Sequence, residues 1–405
     1  MRSRPSTQRW VAVLCLLTAF LVGLCHAESA QAEPQDEHRV SRVPGTGVTR
    51  CFDDSKPIAC PSAGQPYYGQ DGNSQRRAPS FAANADGTAR DLNTGLMWAR
   101  EVSGPMSWED AKVAAQKFRL GGHSDWRLPT IKELYSIIDF GRGYFSASAK
   151  SSVPFLDTDV FSFSYTSGER FFDVQLWSST RYVATTMNND ATVFGVNFAD
   201  GRIKGYPLYQ PGSGGRVPQQ MRVRFVRGTE YGLNEYRDHG DGTVSDSGSG
   251  LTWQQSDDGV GRNWQQALGY CATLRLAGKG DWRLPNAKEL HTIMDYSRAP
   301  ATDRSAALAQ PLMASSPELY FWSSTTISDG PPEARYGKAV YFAFGRAMGW
   351  MQMPPGSGQA RLIDVHGAGA QRADFKSGDP AQYPKGFGPQ GDDVRILNAV
   401  RCVRS

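Results

Sequence analysis

The chain has little histidine and little cysteine, and neither falls in a pattern that carries chemistry. None of its six histidines stands in H-x-H or H-E-x-x-H spacing, so the short-range zinc motifs are missing. No C-x-x-C pair occurs, which removes thiol exchange and ribbon-type zinc sites. There is no G-x-S-x-G elbow and no phosphate-binding glycine loop, so nothing points to a serine hydrolase or a nucleotide enzyme. An excess of one charge is also lacking, with 44 Lys+Arg against 40 Asp+Glu. That balance gives no reason to expect a nucleic-acid partner.

The one long apolar run is at the start. Arg2, Arg4 and Arg9 precede fifteen residues, Val11 to Cys25, that are almost unbroken in apolar character. Small residues follow, with Ala30-Gln31-Ala32 as an A-x-A cleavage site and Cys25-His26-Ala27 as a weaker one. This is the layout of a secretory signal peptide, residues 1–32. A membrane span needs about 20 residues. A lipidated Cys25 is disfavoured by Leu24, too large for the position before it. Past this segment no run is long enough to span a bilayer, so no membrane span is expected once the signal is removed. Loss of Arg2, Arg4, Arg9 and Glu28 leaves 41 basic and 39 acidic residues, a net of +2.

The rest of the chain repeats itself. Asp86-Gly-Thr…Thr-Gly-Leu-Met-Trp98 matches Asp241-Gly-Thr…Ser-Gly-Leu-Thr-Trp253 at an offset of 155. Gly122-His-Ser-Asp-Trp-Arg-Leu-Pro-Thr-Ile-Lys-Glu-Leu134 matches Gly278-Lys-Gly-Asp-Trp-Arg-Leu-Pro-Asn-Ala-Lys-Glu-Leu290 at 156. Trp108 with Trp264, Asp139 with Asp295, Trp177-Ser-Ser-Thr with Trp322-Ser-Ser-Thr, Val196 with Val340, and Val223-Arg-Phe-Val-Arg with Val400-Arg-Cys-Val-Arg complete seven blocks in one order. The organisation expected is signal 1–32, an N-terminal extension 33–80, copy one at 81–228 and copy two at 229–405.

The repeat also pairs the cysteines. Cys271 stands where copy one has Ala115, and Cys402 where it has Phe225. Both are present in one copy and absent from the other, so they are expected to be bonded to each other. Elimination leaves Cys51 with Cys60. An even cysteine count in an exported chain favours disulfides over metal ligands.

Local signals are clearest around the helices. Ser107 and Asn263 are set to cap helices whose buried stripes are Trp108, Ala111, Ala115, Phe118 and Trp264, Ala267, Cys271, Leu274. After Trp-Arg-Leu-Pro, Thr130 with Glu133 and Asn286 with Glu289 read as capping boxes. Val193–Phe198 and Val340–Phe344 read as strands. The class is α+β, each copy having two short helices packed on antiparallel strands. Copy two carries a Gly- and Pro-rich insertion, about 351–397, that reads as a long loop, functional or disordered.

These motifs together resemble the Lcl C-terminal domain family, named from the tail of a bacterial collagen-like adhesin. The resemblance covers residues 81–405. The lead-in Cys51-Phe-Asp, Cys60-Pro and Gly69-Gln-Asp-Gly72 is also similar. Arg-Leu-Pro-Thr-x-x-Glu is similar to a motif of formylglycine-generating-type domains, so the resemblance implies two tandem C-type-lectin-like domains. In lectin-like domains a bridge commonly ties the first helix to the last strand, in agreement with Cys271–Cys402. No Gly-X-Y tract is present, so the adhesin's stalk is not carried over. A periplasmic, secreted or cell-surface location in a bacterium is implied.

Candidate site residues are few. Trp98, Trp126, Trp177, Trp253, Trp282 and Trp322 can stack on sugars, but their place beside helix starts and strand ends favours the core. Glu133 and Glu289 can ligate a metal, but capping accounts for them. Asp238-His-Gly-Asp241-Gly does not have EF-hand spacing. The mature histidines, His38, His123, His239, His291 and His366, do not recur between copies. Arg222, Arg224 and Arg227, with Arg401 and Arg404, form basic strands that can take sulfate or carboxylate groups in bidentate fashion. The expectation is a non-enzymatic binding module without cofactor or metal, recognising a glycan, notably an acidic polysaccharide, or a cell-surface partner. An envelope protein docked for assembly is the alternative, and a formylglycine-generating-like enzyme a distant one.

Overall fold

The computed structural model describes residues 43–74, 77–352 and 356–405; the signal segment lies outside them. Each copy opens on a three-stranded meander. Copy one uses Phe81–Ala83, Thr88–Asp91 and Met97–Ala99, and copy two Tyr236–Asp238, Thr243–Asp246 and Leu251–Gln254. The first turn is set by an aspartate that takes the backbone N–H two residues on, Asp86 from Thr88 and Asp241 from Thr243, both at 3.0 Å. Gly87 and Gly242 between them sit at φ +84°, where a side chain is strained. The copy's last residues then add a fourth strand: Val226 lies opposite Trp98, and Val403 opposite Trp253.

Four helices follow the capping signals. They are α1 (Trp108–Lys117), α2 (Ile131–Ser136), α3 (Trp264–Thr273) and α4 (Ala287–Thr292). The Ser107 hydroxyl accepts from Asp110 N at 3.1 Å. Complete capping boxes start α2, α3 and α4. Each cap of this kind contributes about 1 kcal/mol. Ala111 and Ala115 of α1, and Ala267 and Cys271 of α3, are buried along the inward stripe.

The centre is one eight-stranded sheet. Its strands are β1 (Ser103–Met106), β2 (Leu176–Thr186), β3 (Asp190–Asn197), β4 (Arg202–Pro207), β5 (Met221–Val223), β6 (Tyr320–Ile327), β7 (Lys338–Ala343) and β8 (Gln371–Phe375). The order is β6-β7-β8-β4-β3-β2-β5-β1. Copy one therefore contributes one end and copy two the other. The neighbours are antiparallel except β5 with β2, where Arg222 lies opposite Leu176 in a parallel pair.

The seam between the copies is β8, and β8 belongs to the insertion. The insertion is thus not a structureless loop. It also holds Ala360–Asp364, which pairs with Met348–Gln352. At the seam Gln371 lies opposite Ile203 of β4. Behind it sits a buried ionic group. Arg202 reaches Asp329 at 2.5 Å, Lys204 reaches Asp200 at 2.8 Å, and Arg372 bonds Asp392. Breaking such a buried pair from one side costs about 3–5 kcal/mol, so the network holds the seam in one register.

One hydrophobic core runs through both copies, joining Leu134, Ile138 and Phe140 to Leu290, Ile293 and Phe342. Each copy also has a private cluster, around Trp108 and Trp177 in one and Trp264 and Trp322 in the other. Both expected bridges are present, Cys51–Cys60 and Cys271–Cys402. The stapled extension packs on copy two: Phe52 stacks on Tyr336 at 4.6 Å, and Lys376 donates to Asp53 O at 2.8 Å. Among the described residues no helix is long and apolar enough to cross a membrane.

Candidate functional site

Two of the five arginines on the basic strands are enclosed. Arg224 and Arg401 are each 1% exposed. The Arg224 guanidinium donates to Ala99 O at 2.8 Å, to Arg100 O and to Ser162 O at 2.7 Å. Arg401 repeats this on Gln254 O, Gln255 O and Met313 O. Both guanidiniums therefore tie the meander's exit to a later loop. Arg227 and Arg404 form forked pairs with Asp125 and Asp281 at 2.7 and 2.8 Å. Arg222 donates to Ser164 O at 3.0 Å. The strand breaks after Val223 and resumes at Val226. The break turns Arg224 inward between two buried neighbours, Val223 and Phe225. Arg224 and Arg401 are thus tied into the fold, while Arg222, Arg227 and Arg404 stay partly exposed.

The remaining motif residues build the frame. Trp98, Trp177, Trp253 and Trp322 are fully buried, and Trp126 and Trp282 nearly so. Trp177 Nε1 donates to Met106 O, and Trp322 Nε1 to Arg262 O. Glu133 accepts Arg127 through both oxygens at 2.6 Å and Thr130 N at 2.9 Å. Glu289 does the same with Arg283 and Asn286 N. The arginine of Trp-Arg-Leu-Pro is thus bonded to the capping glutamate six residues on. The paired recurrence of Arg and Glu at that spacing was a signal that capping alone left unused.

A second repeated residue, passed over as sequence, makes the junction. Lys132 Nζ donates to Thr292 O, the last residue of α4, at 2.7 Å. Its repeat equivalent Lys288 donates to Ser136 O, the last residue of α2, at 2.7 Å. Tyr135 and its equivalent His291 meet edge to face at 4.8 Å between them. Contacts in which i meets j and j meets i define a two-fold arrangement. Each ammonium also neutralises the negative end of the opposite helix. Each takes one more carbonyl from the segment leading into a copy, Gly45 O for Lys288 and Gly232 O for Lys132. Burial pulls both lysines down to about 8.

Beside this axis lies an open cleft of about 460 Å³. One wall is the linker, with Tyr231, Leu233, Asn234 and Glu235; the other walls are the equivalent loops Asn93-Thr94 and Gly248-Ser249. Two buried aspartates fix those loops in the same way. Asp91 accepts Asn93 N at 2.8 Å and Thr94 Oγ1 at 2.7 Å. Asp246 accepts Gly248 N at 3.0 Å and Ser249 Oγ at 2.6 Å. Asp246 also takes Asn234 Nδ2 at 2.7 Å and so anchors the linker. The lining offers amides, hydroxyls and two carboxylates, Glu230 and Glu235, beside the ring of Tyr231 and the exposed side chain of Leu233. Among the described residues it contains no Lys or Arg. Such a surface suits an uncharged polar ligand with an apolar face.

Among the described residues no group of three or more His, Cys, Asp and Glu is placed to hold a metal. His291 is enclosed by Tyr135, Tyr296 and Phe342, and burial holds it well below its ordinary range. His366 is bonded to Asp392 at 3.1 Å, and burial lowers it to about 4.

Fold and frame define a duplicated α+β protein in which both copies are organised by one Trp-Arg-Leu-Pro unit. The family model of the Lcl C-terminal domain matches residues 87–227 and 242–362. Those two segments span more than half of the chain, and the chain belongs to the Lcl C-terminal domain family. None of the curated proteins matches it.

Proposed function

We propose that this is an exported, non-catalytic binding protein, acting in the periplasm or at the cell surface, and that it takes a neutral glycan in the cleft beside the two-fold axis. Each copy is read as a C-type-lectin-like domain, and residues 1–32 as its export signal. The observation that carries the ligand assignment is the cleft lining. Equivalent loops of both copies, held rigid by Asp91 and Asp246, present the hydroxyl oxygens of Thr94 and Ser249 and the amide oxygen of Asn93 as acceptors next to Tyr231 and Leu233. Sugars match that mixture, since their hydroxyls take hydrogen bonds while one ring face is apolar. The two carboxylates in the lining disfavour a sulfated or uronic chain. The test is binding of the purified mature protein to neutral and sulfated glycans at low and high salt. Neutral glycan binding that persists in salt and is lost in Leu233→Arg supports the assignment. Binding confined to sulfated glycans and lost in salt overturns it.

A further inference from the structure

The two copies differ most on the face formed by the first helix and the strand that begins Trp-Ser-Ser-Thr. In copy two that strand, β6, is buried at every one of its eight residues. The cover is the chain's own stapled extension. Tyr67 lies 6.3 Å from the Trp264 ring, and the buried Asp71 carboxylate accepts from Thr325 Oγ1 at 2.7 Å. Burial raises that carboxylate, while its hydrogen bonds from Thr46 and Thr325 pull it down, and Glu289 and Arg283 act on it in opposite senses. Among the described residues no segment plays this part in copy one. The equivalent strand, β2, exposes Ser179, Arg181, Val183 and Thr185. Next to it an open groove of about 390 Å³ runs between Ala115, Trp126, Arg127, Leu128 and Ser179. The Arg127 side chain is 34% exposed, against 19% for Arg283.

The differences in sequence follow the difference in cover. Lys112 replaces Leu268, and Arg181 replaces Thr326. Both cations stand over the Trp108 ring, Lys112 at 4.2 Å and Arg181 at 5.8 Å from its centroid. They place two positive groups on the uncovered face, beside Arg127, which is held in its fork with Glu133. Glu109, paired with Lys112 at 2.5 Å, and the exposed Glu230 offset part of that charge. Thr180, the equivalent of Thr325, has its oxygen in contact with Ile131 N and its hydroxyl hydrogen still to give.

From this internal precedent we infer that the copy-one groove docks an extended segment of a partner protein in which an aromatic residue is followed by a carboxylate. The aromatic ring would lie against α1 near Trp108, as Tyr67 does on α3. The carboxylate would meet Thr180, as Asp71 meets Thr325. Lys112 and Arg181 would hold acidic residues flanking it, a contact that copy two does not need because its cover is tethered in the same chain.

The probe is a labelled peptide with the sequence of residues 65–74 and two glutamates added at each end, titrated into the whole mature protein and followed by fluorescence anisotropy. Saturable binding is expected at or below about 1 mM. It should weaken at least about tenfold in Arg181→Glu and Lys112→Glu, and with a peptide in which the aspartate is replaced by asparagine. Arg181→Thr, which restores the copy-two residue on an exposed site, guards against a folding defect in the charge reversals. Leu233→Arg in the axial cleft should leave peptide binding unchanged, which separates this site from the glycan assignment. No saturation, or binding indifferent to both charge reversals, overturns the inference. Arg181-dependent capture of a sulfated glycan in place of the peptide overturns it as well.

Discussion

Copies one and two are built on the same frame and finished in different ways. Copy two ties its first helix to its last strand with Cys271–Cys402, while copy one fills the same place with Ala115 and Phe225, whose ring lies 4.6 Å from Phe118. Copy two is roofed by the extension and supplies the seam strand from its insertion. Among the described residues copy one has neither, and alternate residues of β2 from Ser179 to Thr185 are exposed. The repeated motif therefore fixes caps, turns and the two-fold contact. What lies outside the motif decides which surfaces are buried. A duplicated protein can keep one copy as the anchored half and leave the other to meet partners.

The bridge gives the largest handle on that difference. It closes a separation of 131 residues. Replacing Cys271 and Cys402 by serine should lower unfolding free energy by about 4–5 kcal/mol in the chain-entropy view. Urea denaturation checks this, and an unchanged midpoint would mean that copy two is held by its cover and not by its bridge.

Next comes the cover itself. Burial raises Asp71 to about 6, above its ordinary 3.8. A raised acid contributes stability that is fully present below its unfolded value and is lost as pH rises through the folded one. Asp71→Asn keeps an acceptor for Thr46 and Thr325 but cannot titrate. Its stability relative to the native protein should rise by about 2–3 kcal/mol between pH 4 and pH 7. Paired urea curves at the two pH values measure it, and a constant difference would sink the idea.

A smaller effect separates the two lysines of the axis. Lys288 is 2% exposed and Lys132 is more open. Lys288→Met leaves Ser136 O and Gly45 O without a donor and should cost about 2 kcal/mol, with Lys132→Met nearer 1 kcal/mol because water can reach its partners. Equal costs in thermal unfolding would show that exposure does not distinguish the two ends.

The smallest effect is expected on the open face. Lys112→Leu and Arg181→Thr convert copy one to the copy-two residues and should change stability by no more than about 0.5 kcal/mol. A large loss in either would show that these cations hold the fold together and are not spare for a partner.

What was legible in the sequence was legible because it is local or repeated. A capping box needs only Thr130 and Glu133, three residues apart, to close two hydrogen bonds, so α2 and α4 could be placed without knowing their neighbours. The cysteine pairing came from comparing copies. The insertion was opaque for the opposite reason. Gln371-Arg-Ala-Asp-Phe375 is too polar to read as a central strand, and it is buried only because Arg372 finds Asp392 and Asp374 accepts from Ile396 N. The axial cleft was invisible because its lining comes from loops at residues 93, 233 and 249, which meet only after the copies pair.

Sequence alone determined the duplication, the helix starts, the α+β class and both bridges, since each depends on spacing within a copy or on comparison between copies. Tertiary structure alone decided that Arg224 and Arg401 face inward, that β8 stitches the copies together, and that the extension covers copy two. Those outcomes depend on which distant group supplies the hydrogen bond, the opposite charge or the apolar cover. No local pattern encodes that choice, because burying a polar residue is favourable only once its partner is in place.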